Sequence, residues 1–320
     1  MNDMLTNQKR QDLSSMNYKN QVFERLQASM TTGSGGDLDV RVSRLFDMFS
    51  ELSTDPQDMS VRNSLLSEAQ QLTAKFRNID ETITNTSELV RESAINTLEE
   101  INTLLVDIFS LNQAVASSSS QGSPDAASLD LRVQKLEELS KLVNFEQDTT
   151  DSGDVEIRIG GITVLDKEGP ETLQSDYSRA DNQFRVRLDN GKLLSATKGE
   201  LGSQLELVTE IIPEMRAKID LLAKTIVDET NAIHSSGFGL RDNAMRNFFN
   251  PTGVTAGTIS VNTDLVGEVG NIAASSVLGE AGNGQLAAQI ADLRNEALAE
   301  GRKLVDFTIN AISTPGADIN

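Results

Sequence analysis

The chain has 320 residues, 28 basic against 48 acidic, and a net charge of -20. That length suffices for two or three cores, but the charge repels phosphate backbones and anionic bilayers, which excludes nucleic-acid and membrane partners. No apolar run approaches the roughly 18–20 residues of a membrane span, and the start MNDMLTNQKR lacks the apolar stretch of a Sec-type signal peptide.

Residues 1–30 are polar, with Leu5, Leu13, Met16, Phe23, Leu26 and Met30 scattered among them, and read as an extended segment passing into a helix. Thr31-Thr-Gly-Ser-Gly-Gly36 breaks the chain. Val42, Leu45, Phe46, Phe49 and Leu52 then recur at helical spacing over 38–53. Asp55-Pro56 is a restart signal, with a capping side chain followed by a proline suited to the first helical position.

A very long helix is predicted from Pro56 to about Ala116, roughly 90 Å at 1.5 Å per residue. Its stripe runs Leu65, Leu72, Phe76, Ile79, Ile83, Thr86, Val90, Ala94, Leu98, Ile101, Leu105 and Ile108. Alternating steps of three and four make this a heptad seam, with a stutter at Val90–Ala94–Leu98. Ser117–Ser120, Gln121 and Gly122 read as a loop, and Ser123-Pro124 restarts a helix to about Val143. Leu129, Val133, Leu136, Leu139 and Leu142/Val143 are its expected inward face.

The period then changes to two. Val155, Ile157 and Ile159 alternate with charged residues, and Gly160-Gly161 turns the chain into Ile162 and Val164. Phe184, Val186 and Leu188 alternate with Arg185 and Arg187, and Asn190-Gly191 is a strong hairpin signal leading into Leu193.

Ser203 with Glu206 has capping-box spacing. The following stripe is Leu201, Leu205, Val208, Ile212, Met215, Ile219, Leu222, Ile226, Thr230 and Ile233, with Pro213 expected to kink it. After Ser235-Ser236-Gly237 the chain is rich in Gly and Asn, with one strand expected at Thr258–Val261. A last helix is expected from about Gln285 to Ala311, along Leu286, Ile290, Leu293, Ala297, Leu304 and Phe307, broken by Thr314-Pro-Gly316.

The expected fold class is therefore mainly α with a small antiparallel β insert (α+β). Its expected segments are helical residues 1–145, a small β domain at 146–198, a helix at 199–236, a loop-rich segment at 237–284 and a final helix at 285–320. The two helical flanks must pack together, since each exposes an apolar seam. No internal repeat of 20–50 residues is visible.

Catalytic signals are sparse. Cysteine is absent, which removes thiolate metal sites, disulfides and cysteine nucleophiles. His234 is the sole histidine. As a base it would need a carboxylate such as Asp228 or Glu229 and a nucleophile motif, and none accompanies it. The plainer reading is a residue near the negative end of a helix dipole. Asp148-Thr-Thr-Asp151-Ser-Gly-Asp154 lacks the third- and fifth-position ligands and the bidentate Glu of an EF-hand loop, so it reads as a solvated turn. Gly237-Phe-Gly239 and Gly279–Gly284 have no Walker lysine and follow no strand, so they read as loops rather than phosphate cradles. No catalytic, metal or cofactor site is expected.

Taken together these stretches resemble the FlgK family of flagellar hook-associated proteins. Leu45-Phe-Asp-Met-Phe-Ser-Glu-Leu-Ser-Thr-Asp-Pro56 and Val61–Leu72 are similar to the family's "FF..L..L..NP" segment and the start of its long helix. Leu129–Val143 resembles "DLLDQRD.LL.ELS.LV", and Val155–Val164 the "V.I.GG..LV" hairpin. Gly199-Glu-Leu-Gly202, Ile212-Pro213 and Asn231-Ala-Ile-His-Ser-Ser-Gly237 are similar to "GG.LG.LL…LP…VN..H..G", and Phe248-Phe249 with Ala256–Asn262 to "FF…TAG.I.VN".

The resemblance implies an elongated helical bundle of the flagellin and hook-associated type, without enzymatic activity. It implies a structural adaptor at the hook–filament junction, exported through the flagellar type III pathway without a cleaved signal peptide to an extracellular place in the flagellum. The implied partners are other copies of the chain, the hook protein, the second junction protein or filament, and an export chaperone. The family's two terminal segments, which pair as the inner tube of the axis, are missing from this sequence, so the chain itself is expected to be monomeric. Two alternatives stay open: the neighbouring junction protein FlgL or a flagellin, and a soluble helical enzyme using carboxylate pairs. The region of Pro213 and Asn231–Gly237 disfavours the first, and a search for tightly bound metal or ligand separates the second.

Overall fold

The computed structural model describes residues 2–31, 37–120, 125–151, 153–178, 183–241 and 243–313. Four helices come first: α1 (Asn2–Thr31), α2 (Leu38–Thr54), α3 (Met59–Ser120) and α4 (Ala126–Leu142). Seven strands follow, β1 (Glu146–Thr149), β2 (Val155–Ile159), β3 (Ile162–Asp166), β4 (Gly169–Pro170), β5 (Leu173–Ser178), β6 (Gln183–Leu188) and β7 (Leu193–Leu194). Then come α5 (Gly199–Glu206), α6 (Ile212–His234), α7 (Thr263–Gly267), α8 (Gln285–Asp292) and α9 (Leu304–Ser313). The fold is mainly helical with small antiparallel sheets, as the sequence patterning predicts. Two units form, one from Met1–Val22 with Thr86–Pro213, the other from Phe23–Asn85 with Glu214–Asn320. The expected breaks at 32–36, 121–124 and 314–316 lie outside the described residues, as do the side chains of Leu5 and Met30.

Every member of the α3 seam from Leu65 to Ile108 is buried, as its spacing requires. The ends of the helix differ from the expectation. It begins at Met59 rather than Pro56, because the carboxylate of Asp58 accepts from the Ser60 amide at 2.6 Å and supplies the cap that Asp55 was expected to give. It also continues through Ser117–Ser120, where the Ser118 hydroxyl bonds the Val115 carbonyl at 3.0 Å within the helix instead of opening a loop. Residues 2–31 are one helix, not an extended segment and a helix, since no Gly or Pro interrupts them.

In the first unit α4 packs on α5. Leu136, Leu139, Leu142 and Val143 are buried, but Val133 is 57% exposed. Arg132 takes the inward position instead, its Nη1 donating to Asn112 Oδ1 at 2.9 Å and to the Gly153 carbonyl at 2.8 Å. Strands β1–β4 form one antiparallel sheet in that order, and β5–β7 a second. Val155, Ile157 and Ile159 alternate inward. Gly160 and Gly161 have φ of +55° and +77°, a two-residue primed turn that glycines adopt without strain. Phe184, Val186 and Leu188 are buried on β6. The Asn190-Gly191 hairpin forms with a three-residue loop: Gly191 donates to the Leu188 carbonyl at 2.8 Å, and Leu188 to that of Lys192 at 2.9 Å.

Two asparagines of α3 fasten the strands. Asn102 both donates to and accepts from the backbone of Leu173 at 2.9 Å. Asn112 accepts from the Val155 amide at 3.1 Å and donates to its carbonyl at 2.9 Å. The strand segment leaves and returns at nearly one point, since Asn144 Oδ1 accepts from the amides of Thr197 and Lys198 at 3.0 and 3.1 Å. Replacing residues 147–197 by a short Gly/Ser linker should therefore keep the helical circular-dichroism signal and a cooperative melt, at a lowered midpoint from the two freed asparagines. Loss of both signals would make the strands part of the helical core.

Helix α5 begins at Gly199, four residues before the expected cap, so Ser203 sits in its interior. Its hydroxyl donates to the Gly199 carbonyl at 2.9 Å and lies 2.5 Å from Ser15 Oγ, while Glu206 pairs with Lys19 at 2.6 Å. The capping-box reading is thus replaced by contacts to α1. Pro213 acts through a π-helical turn at Leu207–Ile211, which accommodates the missing amide and the ring's clash with the preceding turn. Leu201, Val208, Ile212, Met215, Ile219, Leu222, Ile226 and Thr230 are buried along the expected stripe. Truncating Ile219 to Ala should cost roughly 2–5 kcal/mol, against at most about 1 kcal/mol for half-buried Lys218, whose ammonium pairs with Glu214 one turn away. Equal and small effects in urea melts would mean that the stripe contributes no packing.

In the second unit α2 packs against α8 and α9, with Leu38, Val42, Leu45, Phe46, Phe49 and Leu52 buried. The expected last helix is broken in two. A 3-10 turn at Leu293–Asn295 ends α8, and Glu300 and Gly301, at φ of +49° and +72°, reverse the chain with Ala299 bridged to Arg302. Ala297 is accordingly exposed. The strand expected at Thr258–Val261 reduces to one bridge, Val261 to Phe249, because Thr258 is taken into a turn.

Candidate functional site

In the second unit, polar side chains at the end of α6 bond to the backbone of the loops that follow. His234 has no exposed surface. The Ala273 amide donates to its Nε2 at 2.9 Å, which requires that nitrogen to be bare, so the proton sits on Nδ1 and is donated to the Arg246 carbonyl 2.6 Å away. Burial pushes the imidazole down to about 4, the charges of Arg62 and Arg246 push the same way, and the bond to the Arg246 carbonyl opposes them. His234 is therefore neutral, and the helix-dipole attraction expected of a cation gives way to two hydrogen bonds that tie loops to the helix.

One turn earlier, Asn231 pairs with both backbone groups of Phe249, donating to its carbonyl at 3.1 Å and accepting from its amide at 2.9 Å. The Phe248 ring packs between Phe49, His234 and Phe249 at centroid distances of 5.0, 5.3 and 4.9 Å. Further on, Asp220 Oδ1 accepts from the Ala256 amide at 2.8 Å, and Arg77 donates to the Ile259 carbonyl at 2.7 Å. Beside the knot lies Arg62, fully buried, which donates to the carbonyls of Pro56 at 2.9 and 2.5 Å and of Ile272 at 2.6 Å. Patterning alone gave Arg62 no role. The signal available was its place on the apolar face, three residues before Leu65.

The other candidates are dispersed. Asp148 sits on β1 facing Arg158 at 2.6 Å, Asp151 is exposed in the following turn, and Asp154 returns the chain through backbone bonds to Thr150. Gly237 is required by close approach, since a Cβ there would lie 2.6 Å from Leu286 and 2.9 Å from the Ser275 carbonyl. The segment Gly279–Gly284 leads into α8, whose Gln285 amide is capped by Asn283 Oδ1 at 3.0 Å. Among the described residues no group of three or more His, Cys, Asp or Glu could hold a metal ion, and no helix is long and apolar enough to cross a membrane. Both ring nitrogens of His234 are committed to backbone partners, so the arrangement braces loops and offers no free base.

Residues 23–249 match the family model of the flagellar hook-associated protein FlgK helical domain. The chain belongs to the FlgK helical-domain family. Asn231, His234, Phe248 and Phe249 all lie inside the FlgK match. Flagellar hook-associated protein 1 of Salmonella typhimurium is 23% identical over 239 residues, covering 71% of this chain and 42% of that protein. The protein of the same name from Bacillus subtilis is 21% identical over 312 residues, covering 86% of this chain and 62% of its own length. The structure of the flagellar hook junction protein FlgK from Burkholderia pseudomallei is similar in fold, with a TM-score of 0.63 at 18% identity, over 74% of this chain and 44% of that one. The chain thus spans less than two thirds of each of these FlgK relatives.

Proposed function

We propose that this chain is a structural, non-enzymatic component of the bacterial flagellum that acts as an adaptor at the hook–filament junction. The observation that carries the reading is the FlgK family match over residues 23–249, joined by the commitment of its sole histidine to loop bracing. In this reading residues 1–145, 199–236 and 285–320 contribute a rod-like helical domain, 146–198 an inserted β domain and 237–284 a loop-rich segment. The protein is exported through the flagellar type III route and works outside the cell. Its partners are other copies of itself, the hook protein and the next junction protein or filament, with an export chaperone on the way. Alone, at low micromolar concentration, the chain is a monomer. Deleting the gene tests the reading. Electron microscopy should find hooks without filaments and filament protein shed into the medium, whereas attached filaments with normal swimming would overturn it.

A further inference from the structure

We propose that two faces of the unit built from Met1–Val22 and Thr86–Pro213 dock a second copy of this chain head to tail, the exposed stripe of α3 lying on the outer face of the β5–β7 sheet. The proposal rests on the reading that copies touch one another, and it names the surfaces. In this unit α3 carries two stripes. Thr86, Val90, Ala94, Leu98 and Ile101 make the buried one. Glu88, Glu92, Ile95, Glu99 and Val106 recur at steps of four, three, four and seven on the solvent side, with Leu89 alongside. Leu89, Ile95 and Val106 are 42%, 38% and 52% exposed, and none of the three glutamates is in an ion pair among the described residues. A heptad stripe of apolar residues and unpaired acids suits a partner that is apolar and basic.

The same unit carries such a surface. On the outer face Arg187 stands across from Gln174 and Arg185 across from Asp176, in a chain with a net charge of -20. On β6 the side chains of Phe184, Val186 and Leu188 turn inward, which leaves Arg187 on the outer face. Arg187 lies directly across from Leu193, which is 57% exposed, with Lys192 beside it. Arg187 and Lys192 are exposed and in no ion pair among the described residues. Laying the stripe on the sheet buries Leu89 and Ile95 against Leu193 and sets the glutamates over the two cations. Each copy presents both faces and the faces differ, so the contact is heterologous and propagates into a ring or a helix. At physiological ionic strength the Debye length of about 8 Å screens the repulsion between whole copies but leaves contact pairs in force.

Sedimentation equilibrium of the chain, from low micromolar to millimolar concentration at physiological ionic strength, tests this. The unmodified chain should self-associate at the upper end. Arg187→Glu with Lys192→Glu, and separately Glu92→Lys with Glu99→Lys, should each weaken association by about tenfold or more, and an equimolar mixture of the two variants should regain it. Circular dichroism checks that these exposed substitutions leave the fold intact. A chain that stays monomeric throughout, or a mixture that fails to regain association, would overturn the proposal. Association indifferent to both reversals would overturn these surfaces while leaving contact between copies standing. The functional reading stands or falls separately, on filament attachment in the gene deletion.

Discussion

Replacing Arg62 by alanine should destabilise the unit built from Phe23–Asn85 and Glu214–Asn320 by about 3–5 kcal/mol, a large share of the roughly 5–15 kcal/mol typical of a folded domain. The guanidinium has no exposed surface, and its Nε and Nη2 both meet the Pro56 carbonyl while Nη1 meets that of Ile272. No carboxylate pairs with it among the described residues, and burial lowers its pKa to about 10, still protonated at neutral pH. Alanine leaves those carbonyls without donors and opens a cavity. The comparison with Arg62→Met separates the two costs. Methionine refills the volume and removes a buried charge, which by itself is often neutral or stabilising, but it returns no donor. Arg62→Met should therefore lose roughly 1–3 kcal/mol in urea melts. A methionine variant as stable as the original would mean that the carbonyl bonds contribute nothing net, and that Arg62 is only a filler.

Arg62 also marks where sequence patterning stops being informative. The α3 seam from Leu65 to Ile108 was legible because burial there follows a local period, and each position is fixed by its neighbours three and four away. The turn at Gly160-Gly161 was legible because two adjacent glycines point to positive φ whatever surrounds them. Val133 misled because the inward place on α4 belongs to a cation whose partners, Asn112 and Gly153, are far away in sequence. Strand β5 gave almost no signal. Only Leu173 and Tyr177 are apolar in it, and its place is set by Asn102 on α3 and by register with β6.

Helix ends failed for a related reason. Asp55 and Ser203 have the right chemistry for caps, but Asp58 and the earlier start at Gly199 win once the neighbouring chain is in place. The break in the last expected helix lay in Glu300-Gly301, where the apolar spacing continued across residues that reverse the chain. The loops around His234 were the least legible part. Their order comes from bonds spanning 12, 18 and 39 residues rather than from any local pattern.

The stability of the second unit should fall by roughly 3 kcal/mol between pH 6.5 and pH 4 because of His234 alone. Folding lowers this imidazole from 6.5 to about 4, chiefly by burying it. In the unfolded chain it takes up a proton as the pH drops through 6.5, while the folded protein resists protonation until about 4. The unfolded state therefore binds more protons across this window. His234's full contribution is present above about pH 6.5, is lost as the pH falls, and levels off below about 4. The direction agrees with the geometry, since a protonated Nε2 cannot accept from Ala273 and the new charge would face Arg62 and Arg246. The carboxylates titrate in the same range, so the measurement is a difference between the chain and His234→Gln. At pH 8 the variant should lie about 2–4 kcal/mol below the original, having lost an interior ring packed on Phe248 and two buried bonds. As the pH drops to 4 that gap should close. The glutamine side chain carries no proton-linked penalty, whereas the original loses the advantage of a neutral imidazole. A gap constant from pH 8 to pH 4 would mean that the imidazole takes up its proton at the same pH folded and unfolded, and that neither its burial nor the bond from Ala273 resists the charge.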